Sequence, residues 1–179
     1  SESPEGRVEQ STERSAARRQ WAAIGFLAII LAGSQALTDW RDSHGLLINT
    51  TESLPNWAFF VERKQVPKRG DFVVFAPPKS PIVVSHFGKD TAPFTKIAYG
   101  VPGDVVSRVG SDVAVNGKPV GRLKPATKRG EALTPGPVGV IPAKCYYLGT
   151  PHKDGFDSRY ADIGFVCADR IVGTGVPIL

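Results

Sequence analysis

The stretch KIAYGVPGD, Lys96 to Asp104, joins an apolar run to a turn and is typical of how this chain is built. Its first half is rich in β-branched and aromatic side chains, which favours an extended strand. Pro-Gly-Asp then supplies residues that tight turns prefer. A similar turn, VPKRGD, leads into an apolar run at Val66–Asp71. The stretch therefore predicts a strand that ends in a turn, with one lysine, Lys96, inside the apolar run.

Similar short apolar runs, separated by turn residues, continue from residue 45 to the end of the chain. They are GLLIN (45–49), AFFVE (58–62), DFVVFAP (71–77), PIVVSHF (81–87), DVVSRV (104–109), DVAVNG (112–117), CYYLGT (145–150), GFVCA (164–168) and RIVGTGV (170–176). Asn116-Gly117 lies between apolar residues, which is a strong signal for a hairpin. Residues 118–143 are rich in proline and glycine and predict a long irregular excursion. Since no helical period of ten or more residues follows Trp40, we predict a mainly β, antiparallel fold.

An apolar segment, WAAIGFLAIILAGSQALTDW, occupies residues 21–40. Twenty residues at about 1.5 Å each reach about 30 Å, the thickness of a bilayer core. Four arginines lie in the twenty residues before it, whereas Arg41 is followed by no further lysine or arginine until Arg63. The positive-inside rule then predicts a cytoplasmic tail (1–20), a single-pass inner-membrane anchor (21–40) and a periplasmic domain (41–179). The alternative is a cleaved secretory signal, since Ser34-Gln35-Ala36 resembles a cleavage site; the long polar segment before it favours an uncleaved anchor.

Composition excludes several classes of function. The net charge is +5, which suits anionic lipid as well as nucleic acid. No basic run with interleaved aromatics is present, so we expect no nucleic-acid partner. Two cysteines and three histidines, without metal-ligand spacing, lead us to expect neither a metal nor another cofactor.

Two residues could supply hydrolytic chemistry, Ser53 and Lys96. A serine hydroxyl is a weak nucleophile until a base removes its proton, and the histidines stand in no recognisable triad motif. A lysine can be that base when burial disfavours its charged form and lowers its pKa. Most other lysines adjoin turns or charges, whereas Lys96 follows APFT and precedes IAYGV. From this pattern alone, an edge-strand position in which Lys96 faces water is favoured over a buried one.

Three motifs together resemble the TraF-type conjugative-transfer peptidases, a branch of the type I signal peptidases. NTTESLP, residues 49–55, is similar to their N-x-T-x-S-x-P pattern. Lys96–Asp104 resembles the K-R-x-x-G-x-P-G-D box that holds the general-base lysine, and Phe156–Tyr160 resembles the D-S-R box. The boxes occur in the family's order behind one apolar segment, and the resemblance covers residues 49–179.

The resemblance implies a serine–lysine peptidase with a signal-peptidase-like β fold. Ser53 would be the nucleophile and Lys96 the general base, with the Ser53 N–H and the Thr51 hydroxyl as oxyanion donors. Asp157, Ser158 and Arg159 would support the site, with Asp157 and Arg159 as an ion pair beside the lysine or as a salt bridge of structural value only. The implied substrate is a pilin precursor that the enzyme cleaves, and whose ends it joins into a ring in that branch. Other proteins of the conjugation machinery are implied partners.

Two departures from the signal peptidases proper leave open what orients Lys96. Gly155 stands two residues before Asp157, where those enzymes carry a serine that contacts the lysine, and Ile97 replaces the usual basic residue. Ser107 and Thr95 are the remaining hydroxyl candidates. Both departures favour the TraF branch over a general signal peptidase. A non-catalytic assembly factor of a secretion or pilus apparatus is the other alternative.

Cys145 and Cys167 lie in apolar runs on either side of the D-S-R box. A disulfide between them suits an oxidising compartment, and two buried thiols are the alternative. Since no histidine is positioned to activate a thiol, cysteine catalysis is excluded.

Overall fold

The computed structural model describes residues 4–48, 54–56, 58–63 and 65–178, with side chains from residue 18 onward. The chain divides into two units, residues 1–42 and 43–179. The first is formed by a helix, α1 (Pro4–Ser43). Residues 18–43 of α1 are long and apolar enough to cross a membrane, a property that a signal sequence near an N-terminus shares. The predicted tail and apolar segment are thus parts of one continuous helix.

The second unit is built from short strands and one short helix. In chain order these are β1 (His44–Ile48), β2 (Ala58–Glu62), β3 (Phe72–Phe75), α2 (Pro81–Phe87), β4 (Phe94–Gly100), β5 (Val105–Val109), β6 (Asp112–Val115), β7 (Lys118–Arg122), β8 (Gly139–Val140), β9 (Cys145–Gly149), β10 (Val166–Cys167) and β11 (Ile171–Pro177).

The strands form two antiparallel sheets. The larger has seven strands in the order β1-β2-β11-β3-β4-β9-β10, and the smaller has four in the order β7-β6-β5-β8. Asn116 and Gly117 both have positive φ, 49° and 77°, and make the two-residue turn between β6 and β7, as the Asn-Gly signal indicates. The prediction of a mainly β, antiparallel fold with one N-terminal apolar helix is confirmed.

Strand β9 lies between two hydrophobic cores and is buried along its whole length. Leu148 packs with Val73, Phe75 and Ala98 in the first core, whereas Tyr147 packs in a second core beside the smaller sheet. The partner strand β4 has a register irregularity between Ala98 and Gly100. A Cβ at Gly100 would overlap the Ile141 side chain, so only glycine fits where β4 approaches the second core.

Two predictions about individual segments are wrong. PIVVSHF is helix α2, because Ser80 accepts a hydrogen bond from the Val83 N–H as the N-cap and Pro81 suits the first helical turn. Its run of β-branched residues favoured a strand, but capping outweighs propensity in so short an element. Residues 118–143 are also less irregular than predicted, since they contain β7 and β8.

Candidate active site

Lys96 lies in the middle of β4, between β3 and β9 in the larger sheet. It stands opposite Val73 of β3, on the face that carries Ala98 into the first core. Only 5% of the residue is exposed, and its Nζ lies 5.9 Å from the centre of the Phe94 ring. Lys96 therefore does not face water from an edge strand.

Burial lowers the pKa of Lys96 from 10.5 to about 8. Burial dominates because it removes water from the ammonium group; the negative charge of Asp157 raises the pKa and the positive charge of Arg159 lowers it by smaller amounts. At this pKa roughly one-tenth of the amine is neutral at pH 7. A neutral amine at this position can accept a proton, which is what a general base requires.

Asp157 and Arg159 form a buried, two-pronged ion pair. Asp157 Oδ1 accepts from Arg159 Nε and Oδ2 accepts from Nη2, both at 2.8 Å. The side chains are 0% and 3% exposed. The remaining guanidinium donors bond to the carbonyl oxygens of Gly155, His152 and Arg122 at 3.1–3.3 Å. Because the pair is buried and bonded to several backbone carbonyl groups as well as to itself, it holds its turn in a fixed shape.

This turn is fastened to β9, the strand beside Lys96. Ser158 binds Leu148 through two bonds, in which the Leu148 N–H donates to Ser158 Oγ at 3.0 Å and the Ser158 N–H donates to the Leu148 carbonyl at 2.9 Å. The Thr150 N–H donates to Asp157 Oδ2 at 3.1 Å. Leu148 in turn pairs with Ala98, two residues after Lys96. The D-S-R turn thus sets the position of the strand that borders the lysine.

Neither of the two hydroxyls considered for orienting Lys96 lies on its face of the sheet. Ser107 is exposed on β5 of the smaller sheet. Thr95 precedes Lys96 on β4, and successive side chains of a strand point to opposite faces. Thr95 is buried, and its Oγ1 has no hydrogen-bond partner among the residues that the structure describes.

A cavity of about 570 Å³ opens at the start of β4. Phe94, Thr95 and Lys96 line it, together with Gly155 and Phe156 from the segment before the D-S-R turn. Lys124, Lys128 and Asp154 line it as well, with Asp154 paired to both lysines. His86 also lines it and contacts Glu131 outside the lining. The cavity therefore brings Lys96 to a space large enough for several residues of an extended peptide.

The Pro-Gly-Asp turn has a structural role at the junction of the two sheets. Asp104 accepts two bonds from Arg69 Nη2 at 2.6 and 2.7 Å, one from the Val101 N–H and one from Asn116 Nδ2, both at 2.7 Å. Burial raises the pKa of this carboxyl, but the bonds from Arg69, Val101 and Asn116 outweigh it and lower the pKa below 3.8. Sequence reasoning missed Arg69, although its place in the similar turn VPKRGD was a signal.

Cys145 and Cys167 form a disulfide between opposed positions of β9 and β10. The cross-link ties the edge strand β10 to β9, whose far end borders the lysine.

Ser53 and Thr51 lie outside the described residues, so their predicted roles remain predictions. The chain is described again from Leu54, which is 4% exposed and packs in the interior. The structure brings together Lys96, Asp157, Ser158 and Arg159 from two segments about sixty residues apart in sequence.

Lys96 is thus a buried amine of lowered pKa in an antiparallel β unit that follows an apolar helix in the chain. The family model for "Signal peptidase, peptidase S26" matches residues 18–179. The chain belongs to this family and is a serine peptidase of the signal peptidase type. No curated protein matches the chain.

Proposed function

We propose that this peptidase uses Ser53 as its nucleophile and Lys96 as its general base to process a conjugative pilin precursor. The observation that carries the proposal is the burial of Lys96, with a pKa of about 8, in the wall of a peptide-sized cavity. A lysine in the interior of a sheet costs stability, so its presence calls for a functional reason.

The proposed reaction has two half-steps. Neutral Lys96 takes the hydroxyl proton as Ser53 Oγ attacks the scissile carbonyl, and the Ser53 N–H and Thr51 hydroxyl stabilise the oxyanion. Lys96 then gives its proton to the leaving amine, which leaves an acyl-enzyme on Ser53. Water attacks that ester in simple cleavage, whereas the amino terminus of the same pilin attacks it in ring closure.

Asp157, Ser158 and Arg159 act in this proposal as positioning residues. Their contacts run to β9 and to neighbouring backbone, as the bonds to Leu148 and Thr150 illustrate. Asp157 also raises the pKa of Lys96 through its charge, while Arg159 lowers it. The opposite charges of the pair thus partly cancel in their effect on the pKa of Lys96. The hydrogen bonds of the pair hold β9 in register.

The substrate is expected to bind in extended form along β4. Pairing between β4 and β9 begins at Ile97 and Gly149. Phe94 and Thr95 pair with β3, and no strand among the described residues pairs with them on the other side. That open edge borders the cavity. A peptide can add there as a further strand, with small side chains directed into shallow pockets.

An apolar surface supports action at the inner membrane. Leu46 of β1 and Val176 of β11 both stand opposite Phe60 of β2 and are 68% and 51% exposed. Ile48 and Ile178 extend the surface with 62% and 51% exposure. An exposed apolar face of this kind suits contact with lipid. We propose a single-pass protein anchored by α1, with the N-terminus in the cytoplasm and the β unit in the periplasm.

The test compares the mass of a pilin precursor processed in cells by the wild type, Ser53→Ala and Lys96→Ala. The wild type should give mature pilin and both variants should leave the precursor intact. A product lighter by one water than simple cleavage predicts identifies ring closure. Processing by both variants would contradict the serine–lysine mechanism. If the wild type cleaves secretory preproteins and leaves the pilin intact, the chain is a general signal peptidase; if it cleaves neither, it is an assembly factor.

A further inference from the structure

The cavity at the start of β4 is lined by more basic than acidic side chains. Three lysines and two histidines line it, and one carboxylate, that of Asp154, does so among the described residues. The basic side chains are those of Lys96, Lys124, Lys128, His86 and His152. A cleft lined mainly by one sign of charge raises the local concentration of ligands of the opposite sign. The cavity therefore favours a peptide that carries a negative charge over a neutral one.

The contacts of Asp154 show that a carboxylate fits between two of these lysines. Lys124 Nζ donates to Asp154 Oδ1, and Lys128 Nζ lies 3.6 Å from Asp154 Oδ2. The second separation is longer than a hydrogen bond, so Lys128 is held only loosely. The side chain of Lys128 is 83% exposed, whereas that of Asp154 is 19% exposed. Because each ammonium group carries three donors, both lysines can bind a second carboxylate that enters the cavity.

The two lysines lie on a braced hairpin, residues 124–133. Thr127 Oγ1 donates to the Glu131 carboxylate at 2.6 Å and accepts from the Glu131 N–H at 3.3 Å, which closes the turn. Arg129 Nη1 donates to the Ser85 carbonyl oxygen of α2 at 3.0 Å, and Ser85 Oγ donates to Glu131 Oε1 at 3.0 Å. The backbone that presents the lysines is thus fixed before a ligand arrives, which lowers the entropy lost on binding.

We propose that Lys124 and Lys128 form a carboxylate-binding subsite that selects substrates with an acidic side chain near the scissile bond. The inference rests on the proposed function, because that function places the peptide in the cavity that Lys96 lines. Asp154 competes with the substrate carboxylate for the same two ammonium groups. Specificity of this kind is the difference in binding between an acidic peptide and its neutral counterpart.

The test measures peptide binding by fluorescence anisotropy to the full-length Ser53→Ala chain in detergent micelles. The peptides have capped ends and contain Ala-X-Ala, and a single Glu is moved through the flanking positions. Each peptide has a counterpart with Gln at the same position, so the ratio of the two Kd values reports the side-chain carboxylate alone.

Three further substitutions are made in the Ser53→Ala chain. Lys128→Gln removes one ammonium group, and Asp154→Asn removes the competing carboxylate. Lys118→Gln is the matched control, because Lys118 is exposed on β7 of the smaller sheet and lies outside the lining of the cavity.

At the preferred position and low salt, the Glu peptide should bind about 3–10-fold more tightly than the Gln peptide, as two partly exposed ion pairs provide. Lys128→Gln should lower this ratio at least about twofold and Asp154→Asn should raise it, whereas Lys118→Gln should leave it unchanged. Salt at about 0.5 M should reduce the ratio, because exposed charges are screened. Opposite responses of two variants at one place are not produced by misfolding.

A ratio near one at every position, a ratio that Lys128→Gln leaves unchanged, or the absence of binding by every peptide would overturn the inference. The proposed function is tested separately by cleavage of the same peptides. If Lys96→Met with Ser53 intact cleaves them as fast as the wild type, the proposed general base is wrong, whereas the Kd ratio still decides the subsite.

Discussion

Two aspartates, Asp157 and Asp104, each bind an arginine through two hydrogen bonds, yet their surroundings differ. Asp157 and Arg159 are 0% and 3% exposed in their side chains, and the pair lies beside Lys96. Asp104 is 11% exposed and its partner Arg69 is 48% exposed, at the junction of the two sheets. A buried ion pair is weakly screened and therefore acts electrostatically on nearby charges. A half-exposed pair is screened by water and contributes mainly through its hydrogen bonds.

The D-S-R turn and the Pro-Gly-Asp turn thus differ in function. The first acts electrostatically on Lys96, whereas the second holds backbone in place. Asp157 and Arg159 both alter the pKa of Lys96 and also fix β9. Asp104 joins the Val101 turn to Arg69 and Asn116. The charges that shift the pKa of Lys96 are those of Asp157 and Arg159, not that of Asp104. Removing each charge in turn should therefore give different results.

Asp157→Asn should produce the largest loss of stability. It leaves the Arg159 guanidinium buried without a counter-charge, a change that costs about 3–5 kcal/mol in buried pairs. Any folded fraction should show a Lys96 pKa below that of the wild type, because Asp157 raises it. Urea denaturation and the ¹³Cε titration of Lys96 measure both effects. An unchanged Lys96 titration would show that the two groups are not coupled.

Lys96→Met should abolish peptide cleavage and stabilise the fold. A pKa lowered from 10.5 to about 8 corresponds to roughly 3 kcal/mol that the ammonium form costs the folded state. The cost is complete below pH 8, shrinks as the pH rises toward 10.5 and then vanishes. The midpoint of urea unfolding of the variant should thus exceed that of the wild type most at pH 7 and least near pH 10.5. A variant less stable than the wild type at pH 7 would contradict the burial of a charged amine.

Asp104→Asn should have the smallest effect of the three. Arg69 is half-exposed, so we expect a loss of about 1–2 kcal/mol at pH 7 and a Lys96 titration like that of the wild type. Because the folded-state pKa of Asp104 is lowered below 3.8, the difference between variant and wild type should shrink as the pH falls through that range. Urea unfolding at pH 7 and pH 3 tests this. A shift in the Lys96 titration of this variant would show that Asp104, like Asp157, acts electrostatically on Lys96.

Strong local signals in the sequence predicted much of the fold. AFFVE is β2 within the predicted bounds, and Asn116-Gly117 forms the hairpin turn between β6 and β7. The strand predicted for PIVVSHF was wrong. Residue propensity favoured a strand, whereas Ser80 and Pro81 cap the start of a helix. Capping depends on a few atoms at one end of an element, so a strongly apolar run conceals it.

The site could be predicted only in part. Lys96 stood out as a lysine within an apolar run, but only the arrangement of β3 and β9 shows that it is buried. Arg69 was missed although it lies in the turn VPKRGD, because its bonds to Asp104 join positions 35 residues apart.

The dependence of peptide cleavage on pH tests the central claim, that Lys96 acts as a neutral base, most directly. Below the pKa of Lys96, each unit of pH lowers the neutral fraction about tenfold. We predict that kcat/KM rises with unit slope below pH 8, levels above it, and has a midpoint near pH 8 that matches the ¹³Cε titration of Lys96 in the free enzyme. A kcat/KM that is constant from pH 6 to pH 9, or a midpoint that does not follow the Lys96 titration, would contradict the account.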